Sequence, residues 1–237
     1  MHPKKHNPRI RSCLSSGLGF TLVESLLVIA VIAILAAIII PVTQSVRTRM
    51  LATVSQSNMR QLGLLFQQYQ ATHDFQLPPA SHSYGGSRMV WDDYLAEFLE
   101  EDSEIAELLK APADDLNRLW SNKKPRSYSM VRAYGLGVAA VSYSENEPPV
   151  ARGLNIPDPS KVLLLVERCA DTNIVFGDSV AVTDSPNQQL AYGEDMYGGN
   201  FNYLYMDGHV EFLNPEETIG DGTMANPGGD WTIRDTD

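Results

Sequence analysis

Glu24 places a carboxylate where charge is costly. It stands near the start of residues 19–41, G-F-T-L-V-E-S-L-L-V-I-A-V-I-A-I-L-A-A-I-I-I-P, a run that is otherwise apolar. A carboxylate in such surroundings needs a cation or strong donors beside it, so Glu24 is the first candidate for a specific pairing. The other reactive residue types are scattered. Asp207 and His209 flank Gly208 and could in principle share a metal or a proton, but the Asp207-Gly208 dipeptide is already accounted for by the tight turn it makes. Asp221 and Asp230 lie in a Gly-rich stretch and offer the oxygen ligands that Ca2+ takes, without the spacing of an EF-hand. Cys13 and Cys169 are the two cysteines; Cys13 belongs to a basic leading segment, so the body has one thiol, no internal disulfide, and in Cys169 a small buried hydrophobe. His73 and His82 lack metal-ligand spacing, and no phosphate loop, serine-nucleophile motif or Cys/His cluster occurs. These residues therefore predict a protein that is not an enzyme, with Ca2+ as the one cofactor they suggest.

The elements that position Glu24 come from the apolar run itself. Ser25 to Ile40 is free of charge, and about 20 such residues at 1.5 Å each span the roughly 30 Å of a bilayer core. Lys4, Lys5, Arg9 and Arg11 precede the run with no acid among them, and only Arg47 and Arg49 closely follow it. That asymmetry predicts a cytoplasmic N-terminus. The net charge of −11 is thus uneven: four of the 18 basic residues lie in the first 19 positions, which leaves 14 against all 29 acidic residues in the remainder. A body this acidic argues against nucleic acid as a partner. No small-x-small cleavage site follows the apolar run; Gly19, which precedes it, is the residue that could mark a cut.

Past Pro41 the pattern changes period. Val42, Val46, Met50, Val54, Leu62, Leu65 and Tyr69 recur mostly at three- and four-residue intervals between polar residues, which predicts an amphipathic helix over 42–73. Pro41 can kink a helix without ending it, so a single helix is expected from about 21 to about 72, stopped by Leu77-Pro78-Pro79. Trp91 to Lys110 is spaced for one or two short helices. Strands are expected at Tyr128–Val131, 137–143 and Val162–Val166, with a weaker candidate at Asn173–Phe176. Asn202–Met206 and His209–Leu213 alternate on either side of Asp207-Gly208, which predicts a two-residue type I′ hairpin with Tyr205 opposite Val210 and Tyr203 opposite Phe212. On that pairing one face is aromatic and buried, and the other holds Leu204, Met206, His209 and Glu211. The expected fold class is α+β, with residues 74–237 forming a globular domain that ends in a Gly/Asp-rich tail.

The segment Gly19-Phe-Thr-Leu-Val-Glu24, with its basic leader and Pro41, resembles the processing signal of prepilin-like proteins. The resemblance implies that a prepilin peptidase removes residues 1–19 by cutting after Gly19 and methylates the new N-terminal Phe20. It further implies that Glu24 and Pro41 belong to a transmembrane and assembly helix over 20–41. The rest of the chain resembles, more loosely, pilin-like proteins with a C-terminal H-X9-DG pattern. The similar pieces are Ala111-Pro-Ala-Asp114, Arg126-Ser-Tyr-Ser-Met130, Pro159-Ser-Lys161 and Gly198 through Leu213; Tyr197 stands where that pattern has its histidine.

The implied fold is pilin-like: the long helix packed on an antiparallel sheet that includes the 202–213 hairpin. The implied function is a minor pilin or pseudopilin of a type IV pilus or a type II secretion-like filament. Its partners would be the prepilin peptidase, other pilin or pseudopilin subunits, the assembly platform and the cytoplasmic membrane. It would be held in that membrane by a single pass, with the globular domain outside, and later sit in a periplasmic or extracellular filament. Some pseudopilins hold calcium in a C-terminal loop, which is the context for Asp221 and Asp230. Once Gly19 is removed, the α-amino group of Phe20 would be cationic near neutral pH and could pair with Glu24 of a neighbouring subunit. The competing expectation is a binding module, tethered to the membrane or at a filament tip, whose globular domain captures a polymer or an ion.

Overall fold

The computed structural model describes residues 21–84, 87–120, 122–133, 137–139, 141–142, 156–177, 180–191 and 196–233. The leader, Gly19 and Phe20 lie outside the described residues, as do Asp235 and Asp237. The chain divides into two compact units, one ending at Ser45 and one beginning at Val46.

A 51-residue helix, α1 (Leu22–Thr72), is the first element and runs without interruption through Pro41. Proline has no N–H, so the carbonyl of Ala37 lacks its usual helical partner. In the first unit the helix exposes its large apolar side chains, from Val28 at 48% to Leu22 at 83%. By length and composition it is able to cross a membrane.

In the second unit α1 buries one stripe: Ala52, Ser55, Met59, Leu62, Phe66 and Tyr69, joined by Leu65. These positions follow the three-and-four spacing of a single helix face. The stripe differs from the expected one in its first half, because Val42, Val46, Met50 and Val54 are exposed. The expected series advanced by fours, and that drifts around a helix of 3.6 residues per turn. It therefore left the packed face, and burial begins at Ala52 and not at Val42.

The second unit is α+β. A five-stranded sheet has the order β6 (Val182–Thr183), β3 (Tyr128–Val131), β5 (Leu163–Glu167), β7 (Phe201–Tyr205), β8 (Val210–Leu213). A three-stranded sheet has the order β2 (Ser87–Val90), β1 (Ser81–Tyr84), β4 (Val141–Ser142). Both sheets are mixed, because β3 pairs with β6 in parallel and β1 with β4 in parallel. The expectation of a purely antiparallel sheet is corrected at these two short pairs. Trp91–Lys110 yields the two short helices α2 (Trp91–Ala96) and α3 (Asp102–Leu108), and a third, α4 (Pro186–Leu190), precedes β7. The weak strand at 173–176 reduces to one bridge between Pro125 and Ile174.

Two apolar clusters sandwich the larger sheet. Met59, Leu62, Phe66 and Trp91 pack with Leu164, Leu165 and Leu204, while Leu163, Val166, Phe201, Tyr203 and Tyr205 pack with Trp231. β5, apolar up to its last residue Glu167, serves both, and an irregularity between Leu163 and Leu165 puts two successive residues, Leu164 and Leu165, into the cluster that contains α1.

The hairpin forms, but one residue out of the expected register. Leu204 pairs with Val210, Tyr203 with Glu211 and Asn202 with Phe212. The amide of Gly208 donates to the Tyr205 carbonyl at 3.0 Å and that of Tyr205 to the His209 carbonyl at 3.0 Å. Gly208 alone in the turn has positive φ, +94°. This is a type I turn closed by a glycine bulge, which adds a residue to the loop. The one-residue slip exchanges strand faces. Val210 therefore shares a face with Leu204, and every residue of β7 is buried, so no face of that strand is free.

Candidate functional site

Three groups of polar side chains are built by these elements. The first caps α1. Thr21 precedes the helix; its Oγ1 accepts from the Glu24 amide at 3.3 Å, while Glu24 Oε2 accepts from the Thr21 amide at 2.9 Å and hydroxyl at 2.8 Å. Thr21-Leu-Val-Glu24 is thus a capping box, in which Glu24 satisfies donors that the helix cannot. The S/T-x-x-E spacing of Thr21 and Glu24 is the signal in the sequence for this cap.

The second group lies between α1 and the larger sheet. Glu167, the last residue of β5, is completely buried. Ser55 Oγ lies against its Oε1 and Asn202 N donates to its Oε2 at 2.6 Å. Asn202 Nδ2 donates to Oε1 at 3.1 Å, and the Tyr197 hydroxyl donates to the same oxygen at 3.3 Å. Ser55 also meets the Tyr128 hydroxyl at 2.9 Å, and Asn202 Nδ2 donates to the Ala52 carbonyl at 3.2 Å. No cation is among these partners. Burial therefore pushes the Glu167 carboxyl up to about 7, against the opposing pull of its donors.

Tyr197 has φ +54° and packs edge-on to Phe212 at 5.9 Å. The residue at the position of the pattern's histidine is thus a hydrogen-bond donor to a buried carboxylate.

The third group fastens the irregular segment 111–127. Arg118 grips Asp114 through Nη2 at 2.5 Å and Nη1 at 3.1 Å, and the Ser127 hydroxyl donates to Asp114 Oδ2 at 2.6 Å. Arg118 also donates to the carbonyls of Asn173 at 2.7 Å and Arg126 at 3.0 Å. Arg126 donates to Asp92 at 2.6 Å, Asn173 Oδ1 at 2.7 Å and the Gly177 carbonyl at 2.8 Å. The two pieces 111–114 and 126–130 that the resemblance singled out therefore meet. Their chemistry is structural, with each charge buried and paired.

The remaining candidates are separate. Cys169 is buried, and its thiol is pushed well up, first by burial and then by Asp114. It stays protonated at neutral pH and is no nucleophile. Asp207 Oδ1 accepts from the His209 amide at 3.0 Å and lies 2.5 Å from its Nδ1, while the ring stacks on Tyr205. These contacts close the turn. Asp221 is exposed, whereas Asp230 accepts from the Tyr205 hydroxyl at 2.7 Å. Among the described residues no three of His, Cys, Asp and Glu converge as a metal site would require.

The tail is more ordered than its composition suggested. Trp231 is fully buried, donates to Thr218 Oγ1 at 2.8 Å, and sits beside a close approach of Gly220 to Gly229. A Cβ on Gly229 would meet Gly220 N at 2.6 Å.

Compared with family models, curated proteins and solved structures, the chain matches none.

Proposed function

We propose that this chain is a filament subunit of the type IV pilin class, a minor pilin or pseudopilin, processed after Gly19 and assembled through α1. The observation that carries the reading is the sequence Gly19-Phe-Thr-Leu-Val-Glu24 placed at the head of one continuous apolar helix. An exposed apolar surface of this extent needs lipid or other helices around it. Residues 20–41 would wait in the cytoplasmic membrane and pass from lipid into a helix bundle on assembly. The cationic Phe20 amine of one subunit would meet Glu24 of the next, which favours addition in register. The second unit supports a structural role, since its buried charged groups Asp92, Asp114, Arg118, Arg126 and Glu167 are engaged in holding the fold. Intact-mass analysis after expression with a prepilin peptidase tests the reading. The expected mass is that of a chain starting at methylated Phe20, and a chain still starting at Met1 overturns it.

A further inference from the structure

The Glu167 cluster lies at the first place where α1 is buried. On the N-terminal side of Ala52, Val46 and Met50 are exposed, and so is Val54 beside the stripe. Ala52 and Ser55 are the first two buried positions, and both are tied to the sheet by polar contacts, one through Asn202 and one through Glu167 itself. Deeper along the helix the contacts are apolar, from Met59 to Tyr69. The docked part of α1 therefore ends in a polar clasp whose central member can carry a charge or lose it.

The surroundings decide which state the clasp favours. α1 presents Ser55; β3 presents Tyr128; β7 presents Asn202 and, one residue on, Tyr203, whose hydroxyl turns to Gln189 at 3.0 Å. The turn at 196–198 presents Tyr197, and the segment after β5 presents Cys169. The tyrosines and the thiol are all held above their ordinary range by burial and so are neutral at pH 7. The Asp114–Arg118 ion pair acts on the thiol and is internally matched. A neutral Glu167 carboxyl can donate to Ser55 Oγ, and an ionised one can accept from it. Four donors but no cation face the carboxylate, so only the ionised form leaves a charge out of water without a countercharge.

We propose that Glu167 is a proton-operated latch between α1 and the sheet, closed with the carboxyl neutral and loosened at the Ala52–Ser55 end once it ionises. Opening there is the smallest movement that lets water reach the carboxylate, because the helix beyond it is already exposed. The sign follows from linkage. Burial raises the closed-state pKa, so the latch holds fully below the ordinary carboxylate range near 4.5 and weakens as pH rises to about 7. Between those limits one proton makes the opening constant climb about tenfold per pH unit. The inference does not depend on filament membership.

Hydrogen exchange on the full chain in detergent micelles tests it. Protection of amides in residues 52–59, corrected for intrinsic rate, should fall by at least about tenfold from pH 5 to pH 7.5. Glu167→Gln, which keeps the neutral shape, should remove that fall. Flat wild-type protection, or the same fall in Glu167→Gln, overturns the proposal. If Glu167→Gln does not fold, the infrared band of a buried carboxylic acid decides in an Asp230→Asn background, which removes the other carboxyl raised by burial. The band should be present at pH 5 and gone by pH 8, and a band absent or unchanged throughout overturns the latch.

Discussion

Gly63 of α1 and Leu204 of β7 stand so close that a Cβ at position 63 would lie 3.2 Å from Leu204 Cδ1. The helix therefore approaches the sheet at a strand buried along its whole length, beside the hairpin turn. Gly63→Ala asks only a small shift of the end of Leu204 and gains about 1 kcal/mol of helix propensity, so its stability should stay within about 1 kcal/mol of wild type. Gly63→Leu has no room and should lose about 1–3 kcal/mol. Thermal unfolding followed by the fluorescence of the buried Trp91 and Trp231 separates the two; equal melting of both variants would show that the close approach is wrong.

The Arg126–Asp92 pair is sealed from solvent on both sides. Asp92→Ala removes a carboxylate from a buried guanidinium and also strips the Phe176 amide of its acceptor at 2.8 Å. A loss of about 3–5 kcal/mol is expected. The combined Arg126→Met, Asp92→Leu variant should lose less than Asp92→Ala alone, which denaturant titration can rank.

Asp230 gives a pH prediction outside the latch. Burial holds its carboxyl above the ordinary range, against the pull of the Tyr205 hydroxyl. A raised folded-state pKa contributes stability that is present below about pH 4 and lost as pH rises. Asp230→Asn keeps a polar partner for Tyr205 and cannot ionise. Its melting temperature should match wild type at pH 4 and exceed it at pH 7; a lower value at pH 7 would contradict the assignment.

Glu24 has two roles to separate, the cap seen here and the intersubunit pair proposed above. Glu24→Gln preserves a capping box and removes the charge, whereas Thr21→Ala keeps the charge and removes Oγ1 from the box. Under the pairing role, Glu24→Gln inserts in the membrane but is absent from sheared filaments, and Thr21→Ala is present in them. The reverse pattern would assign Glu24 to the helix end alone.

How far the sequence reached depended on distance along the chain. The bounds of α1, the strand at 128–131, the strand at 163–167 to within one residue, and the helical character of 91–110 follow from local periodicity and punctuation, and were legible; whether 91–110 held one helix or two was not. The hairpin was legible as a pairing, but its register turned on whether Asp207 took positive φ. A glycine at the second turn position also suits a bulge, and the bulge won. Glu167 carried no signal at all: it reads as the polar end of an apolar strand. Its partners Ser55 and Asn202 lie 112 and 35 residues away; the pairing of β5 with β7 brings Asn202 to it, and the packing of α1 brings Ser55. The packed stripe was half legible, because Val42 through Val54 satisfy an apolar pattern for surroundings outside the fold, and pattern alone does not say which neighbour an apolar face meets.

The arginine frame around 111–127 has a consequence for divergence. A strand ladder ties every second residue to a partner and so dictates spacing, whereas two guanidinium forks pin a chain at a few points only. Between the points pinned by Arg118 and Arg126, Leu119 and Trp120 are 65% and 45% exposed. Substitutions there meet neither the sheet nor the ion pairs. This rim is where related chains can drift in sequence, and acquire different surfaces, while the anchoring beneath them stays the same.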